Sequence, residues 1–165
     1  MKNSLSVGVV GAILERDGRF LLMKEVQRHI ANHPDDGKWN LPAGRIEHGD
    51  NPLEAIRKEV LEETGYEFTP THVLGLYSLV RADIQNDIGA LPHYLKITYT
   101  GTLSKNPVET LSSDSAGIKW FSPEEIYAMD RHTLRGLDIK KMVRDYLSGN
   151  RYPLKLVTHT VSDPT

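Results

Sequence analysis

Glu59, Glu62 and Glu63 crowd the last turns of the segment "PLEAIRKEVLEETG", residues 52–65. Carboxylates are poorly placed there if the segment is helical, because a helix carries partial negative charge at its C-terminal end. Helical residues advance about 100° per position, which puts Glu62 roughly 60° to one side of Glu59 and Glu63 roughly 40° to the other. All three then project from one narrow strip. Leu53, Ile56 and Val60 form a neighbouring apolar strip suited to a core, so the acids would sit on the shoulder of a buried face. A solvated, ion-paired helix explains part of this pattern, since Glu54, Lys58 and Glu62 form an i, i+4 ladder of alternating sign. It leaves Glu59 and Glu63 without a base three or four residues away. Like charges at that spacing cost about 0.2–0.5 kcal/mol, and the helix dipole adds up to ~1 kcal/mol.

A hard divalent cation would reverse the sign of each of these terms. Mg²⁺ binds through a few carboxylates, keeps several waters, and completes its shell with phosphate oxygens. A phosphate ester or anhydride is thus the natural ligand of such a strip. Histidine-based zinc chemistry is the weaker reading, since no histidine stands among the acids of the segment.

The surrounding elements must hold that helix. Asn51 suits the N-cap, Pro52 the first helical position, and Glu54 an Asn-x-x-Glu variant of the capping box; Gly65 supplies the stop. Residues 7–14 and 20–26 read as strands joined by a hairpin turn at Asp17-Gly18. Residues 27–44, "QRHIANHPDDGKWNLPAG", read as a long loop, and loops of that length in a compact domain are usually functional. Residues 73–82 and 92–102 read as two further strands, with a polar loop containing Asp83, Asp87 and Gly89 between them. Residues 118–121 form a short strand running into "SPEEI", a capped helix start at Ser122. Residues 133–148 read as a last amphipathic helix, stopped by Gly149. This order predicts an α/β (α+β) sandwich with a mixed β-sheet.

The 165 residues fit one domain, 1–165, with 150–165 as a C-terminal tail. The net charge of -2 offers no general attraction to nucleic acid or acidic membranes, so an anionic substrate must be met locally. The absence of cysteine removes disulfides, thiolate nucleophiles and Cys-ligated zinc. Residues 6–14 have the length of a signal-peptide core, but no small-residue cleavage site follows, and a buried strand is the better reading. No run approaches the ~20 apolar residues of a membrane span. The expectation is a cytoplasmic protein with no membrane partner.

Residues 44–66, "GRIEHGDNPLEAIRKEVLEETGY", closely resemble the Nudix box of MutT-type pyrophosphohydrolases, G-x5-E-x7-R-E-U-x-E-E-x-G-U with U aliphatic. Gly44 opens the motif, Glu59-Val60 and Glu62-Glu63 match its acidic core, and Gly65 matches its final glycine. "WNLPAG" before the box and "WFSPEEI" near residue 120 also resemble Nudix flanks. Three positions depart: Asp50 stands for the family's Glu, Lys58 for its Arg, and Tyr66 for an aliphatic residue. The resemblance implies a Nudix-type α/β/α sandwich that hydrolyses a nucleoside diphosphate linked to another moiety, using Mg²⁺ or Mn²⁺ and a water attacking phosphorus. It implies Glu59, Glu62 and Glu63 as metal ligands, with a main-chain carbonyl of Ala43 or Gly44. The proton of the water would go to a box acid, Glu62 or Glu59, or to a distant loop acid, the place held by Asp114; Asp114 reads equally as a turn residue. Asp50 and Lys58 would form a structural brace, looser than the family's because Lys lacks the bidentate fork of Arg.

Arg45 and Arg81 could meet substrate phosphates, against the commoner alternative of surface solvation. Trp39 reads as core rather than a base-stacking platform; Tyr77 and Tyr94 could stack on a base only if they face a cleft. The closing "YLSGNRYPL" resembles bacterial Nudix phosphatases acting on nucleoside di- and triphosphates and thiamine-type pyrophosphates. The loop "HPDDGKWNLPAG" resembles members that cleave dinucleoside polyphosphates. The expected partner is a small-molecule nucleotide, with no nucleic acid and with a homodimer left open. Two other readings stand beside hydrolysis: a non-hydrolytic nucleotide sensor, which would have lost metal ligands, and an isomerase, which would need a proton donor such as cysteine.

Overall fold

The computed structural model describes residues 6–26, 33–82, 92–108 and 115–162. The first strand, β1 (Ser6–Ile13), alternates strictly. Val10, Ala12 and Leu14 enter one apolar cluster and Ile13 the opposite one. Because β1 is covered on both sides, it reads in sequence as a continuous apolar run. β2 (Glu15–Arg16) and β3 (Arg19–Glu25) form the expected hairpin. Asp17 and Gly18 both take positive φ, 52° and 76°, as a two-residue hairpin turn of this hand requires.

The long loop contains two short strands, β4 (Trp39–Asn40) and β5 (Ala43–Arg45). Helix α1 (Pro52–Thr64) begins on Asn51, whose Oδ1 accepts the Leu53 N–H at 3.0 Å, and ends at Gly65 with φ 74°. The expected capping box does not form. Glu54 instead accepts from Arg57 at 2.7 Å, one turn along the exposed face. β6 (Phe68–Val80) and β7 (His93–Leu103) pair antiparallel; β8 (Ser115–Phe121) then leads into α2 (Pro123–Ala128). Ser122 and Glu125 cap α2 reciprocally.

The last helix, α3 (Asp138–Leu147), starts later than residue 133. Asp130 turns the chain on itself by accepting the His132 and Thr133 amides, and Trp39 takes residues 133–135 into backbone pairing. These groups are therefore spent before a helix can start. β9 (Tyr152–Pro153) and a 3-10 turn (Leu154–Leu156) follow.

A five-stranded mixed sheet runs β5-β1-β7-β6-β9, with β1 and β7 parallel and the other pairs antiparallel. In the second sheet β3 pairs with β2, β4 and β8. Ile56 and Val60 of α1 pack with Val10, Val73 and Tyr99 on one side. Ile139, Met142 and Val143 of α3 pack with Ile13, Leu22 and Leu74 on the other. This is the sandwich with a mixed sheet that the element order predicts, with helices on both faces as the Nudix resemblance implies. No helix among the described residues is long and apolar enough to cross a membrane.

Candidate active site

The position of the acidic helix follows from the strand beneath it. Val10 pairs with Gly44 and Gly11 with Ala43, while backbone bonds from Ala12 N–H to Pro42 O and from Ile46 N–H to Gly8 O clamp β5 at both ends. Burying Ile56 and Val60 then turns the acidic strip of α1 toward β5. Glu63 accepts the Ala43 N–H at 3.0 Å. The Glu59 carboxyl lies against Gly44 so closely that any side chain at residue 44 would overlap it. Glu62 is exposed, with Lys58 3.9 Å away.

The charges confirm the crowding. Burial, followed by the Glu62 charge, raises the pKa of Glu59; Lys58 offsets this in part, and Asp50 and Glu47 add to it. Burial and the Glu59 charge push Glu63 well above the ordinary carboxylate range, against the pull of the Ala43 amide. Both carboxyls thus sit where negative charge is costly.

Glu63, Ala43, Gly44 and Arg45 are among the residues that line a cleft of about 450 Å³. Lys96 and Asp138, which also line it, form a largely buried pair, Nζ to Oδ2 3.0 Å, and the Lys96 stem lies over Gly11 next to Ala43. Arg135 lines the same cleft. Its N–H donates to the Trp39 carbonyl at 2.9 Å, while the Trp39 N–H donates to the Thr133 carbonyl at 2.8 Å. The Arg135 guanidinium reaches Glu25 at 3.4 Å through Nη1 and Asp35 at 3.1 Å through Nε. Asn40 donates to the same Glu25 oxygen at 2.7 Å.

These residues suit a divalent ion in their donor chemistry. The oxygens are hard, they crowd one another, and the added positive charge would relieve both raised carboxyls. Among the described residues, no three acidic or histidine side chains already converge as a finished ligand cage. An ion bound here would draw on Glu59 and Glu63, with Glu62 swinging in from the rim.

The sequence profile of the NUDIX domain matches residues 2–145. The chain belongs to the Nudix family. A NUDIX hydrolase from Nitrosomonas europaea is 32% identical, superposes with a TM-score of 0.79, and is matched over 94% of this chain and 98% of its own. "Phosphatase NudJ" of Escherichia coli strain K12 is 28% identical over 149 residues, 90% of this chain and 88% of that protein. The NUDIX domain of Shewanella oneidensis NrtR, solved with ADP ribose, shares the fold at 19% identity, with a TM-score of 0.62 over 87% of this chain and 89% of its own. As a Nudix enzyme the protein is a pyrophosphohydrolase, acting on acid anhydrides.

Among the residues singled out from the Nudix box, Glu59, Glu63, Ala43 and Gly44 meet in one place, with Glu62 on the rim. The Asp50–Lys58 brace is not formed. Asp50 accepts the Glu47 N–H at 3.0 Å within its own loop, and Lys58 leans one turn along the helix to Glu62. Asp50 is short and Lys58 flexible, and each has a partner within four residues in the chain. Arg45 is exposed on the cleft wall. Arg81 also lines the cleft, but it is buried and held bidentately by Asp35 at 2.7 and 3.1 Å. Asp114 lies outside the described residues. Trp39 packs edge-on against Phe121 at 4.9 Å, as a core residue does. Tyr94 faces the cleft, whereas Tyr77 donates to Asp145 at 2.9 Å.

Sequence reasoning missed Glu25, Asn40, Lys96, Arg135 and Asp138. Lys96 left a signal: in "HYLKITYT" it shares the inward register with Thr98 and Thr100, where an unpaired lysine would not be buried. The pairs Asp35–Arg135 and Lys96–Asp138 join residues far apart in sequence and left none.

Proposed function

We propose that the protein hydrolyses phosphoanhydride bonds of nucleoside diphosphate-linked compounds, namely nucleoside di- and triphosphates or dinucleoside polyphosphates, with Mg²⁺ or Mn²⁺ as cofactor. The observation that carries this reading is the seating of two carboxyls, Glu59 and Glu63, on the backbone of Gly44 and Ala43 at a cleft wall. Glu59 and Glu63, with a carbonyl of Ala43 or Gly44, hold the metal, and Glu62 completes the acidic set. When bound, the ion supplies Lewis-acid polarisation of the pyrophosphate and a more acidic water. Glu62, the solvent-facing acid, is free to take the proton of the attacking water; Asp114 is the other acid placed for that role by the Nudix resemblance. Arg45 meets phosphate oxygens from the cleft wall. The whole chain acts as one catalytic unit on a small-molecule nucleotide. Relatives support the anhydride class: NudJ is named a phosphatase, and the NrtR domain holds ADP ribose.

The test is a panel of nucleotides incubated with Mg²⁺ or Mn²⁺, with products identified as phosphate, pyrophosphate or nucleoside monophosphate. At least one anhydride should be cleaved, only with metal, and Glu62→Gln should lower turnover at least ~10²-fold with the fold intact. Tight nucleotide binding without cleavage under either ion would replace hydrolysis with a binding module.

A further inference from the structure

Tyr94 and Lys96 share one face of β7, where Leu79 of β6 stands opposite Tyr94 and Val9 of β1 opposite Lys96. All four line the cleft. The sheet therefore presents to the cleft an aromatic ring beside aliphatic side chains, with Lys96 rooted about 7 Å further along the same strand. The Lys96 ammonium carries three N–H donors. It spends one, on Asp138 Oδ2 at 3.0 Å. Asp138 is equally incomplete. Its Oδ1 is buried and has no hydrogen-bond partner among the described residues. It lies against Gly136, another residue of the cleft, so closely that any side chain at residue 136 would overlap it. Tyr77, opposite Lys96 on β6, turns its hydroxyl to Asp145 instead, at 2.9 Å.

A buried ion pair seldom gains stability over apolar side chains of similar volume, and a buried oxygen left without a donor costs free energy. A ligand that completed the pair would offer an acceptor to Lys96 beside a donor to Asp138, on a flat body able to lie against Tyr94. Phosphate does not fit, since it offers acceptors alone and would meet the Asp138 carboxylate as a like charge. A nucleobase fits on every count. Its edge sets a ring nitrogen or carbonyl beside an N–H or amino group, and its face stacks on aromatic rings. Rotation about the last bond of Asp138, a soft torsion, exchanges its two oxygens and turns the unpartnered one to the cleft. We propose that this part of the cleft is a nucleobase subsite, in which Tyr94 stacks on the base and Lys96 and Asp138 read its edge, so that the enzyme discriminates among bases. This inference rests on the nucleotide hydrolase reading for its place in turnover, but not for base binding itself.

The experiment titrates the full chain, in EDTA, with ATP, GTP, CTP, UTP and inorganic tripolyphosphate by calorimetry, after melting curves have shown each variant folded. At least one nucleotide should bind wild type about tenfold or more tightly than tripolyphosphate, and the four should rank apart. Lys96→Met should remove about tenfold from the preferred nucleotide, the order of one hydrogen bond to a charged group, and leave tripolyphosphate unchanged. Tyr94→Leu should weaken all four nucleotides by about tenfold, as a lost stacking platform does. Asp138→Asn keeps the size of the side chain but trades an acceptor for a donor, and should reorder the four bases, which a merely structural role would not do. Where Lys96→Met does not fold, the other two variants carry the decision. No advantage of any nucleotide over tripolyphosphate, an equal loss of tripolyphosphate in Lys96→Met, or an unaltered ranking in Asp138→Asn would each overturn the subsite. If wild type cleaves no anhydride with either ion, the hydrolase reading falls, and these affinities still decide the subsite.

Discussion

Replacing Gly44 with alanine would put a methyl group where the Glu59 carboxyl now lies. Gly44 is not among the glycines of positive φ, so the backbone can accept the change and the strain must fall on Glu59. We expect Gly44→Ala to fold, to cost about 1–3 kcal/mol as an overpacked site does, and to lose turnover about 10²-fold, as a misplaced catalytic group does. Thermal melting and steady-state rates at saturating metal would check the two parts separately. Full activity in that variant would show that Glu59 need not rest there. At this scale the sequence was informative because helix geometry is local: the angular strip of Glu59, Glu62 and Glu63 needs only 100° per residue. It was uninformative where a side chain could choose among partners, as with Asp50, Lys58 and Glu54.

The elements are tied together at the cleft by one buried carboxylate. Asp35, in the loop before β4, joins the end of β6 through Arg81 and the segment before α3 through Arg135. Asp35→Asn should destabilise the protein by about 3–5 kcal/mol, because it strands buried cations without their counter-charge. Urea unfolding at neutral pH would measure it. The folded state holds Asp35 below its ordinary value of 3.8, so its ionic contribution is complete above that pH and is lost as the pH falls below it. The stability gap between wild type and Asp35→Asn should therefore narrow below about pH 3.8; a gap that stayed constant in acid would exclude this role. The turns and caps that bound the elements were legible, since Asn51, Gly65, Ser122 and the Asp17-Gly18 turn act within a few residues of themselves. The Asp35 knot was not. "PDDG" announces a turn and says nothing of Arg81 and Arg135, 46 and 100 residues away.

Across the whole molecule, alternating apolar positions announced strands and a sandwich, but not which strands would lie side by side. Nor did the composition of residues 150–165 show that the closing segment docks. Tyr152 and Pro153 pair with Val73 and His72, and Leu154 and Val157 pack onto the α1-side core. Ending the chain at residue 150 should remove about 2–3 kcal/mol, the order of two partly buried aliphatic side chains and a short strand pairing. That corresponds to a melting temperature lower by roughly 5–10 °C in a chain of this size. An unchanged melting curve would mean that the segment adds nothing to the fold.

The parallel ladder at the centre of the main sheet has a temporal consequence. Residues 6–13 find their long neighbour only at residues 93–100, and no local turn can bring the two together. A ribosome-bound chain must therefore carry its first apolar strand half-covered until some hundred residues have been made. During synthesis that waiting strand is the part of this protein most in need of a chaperone's shelter.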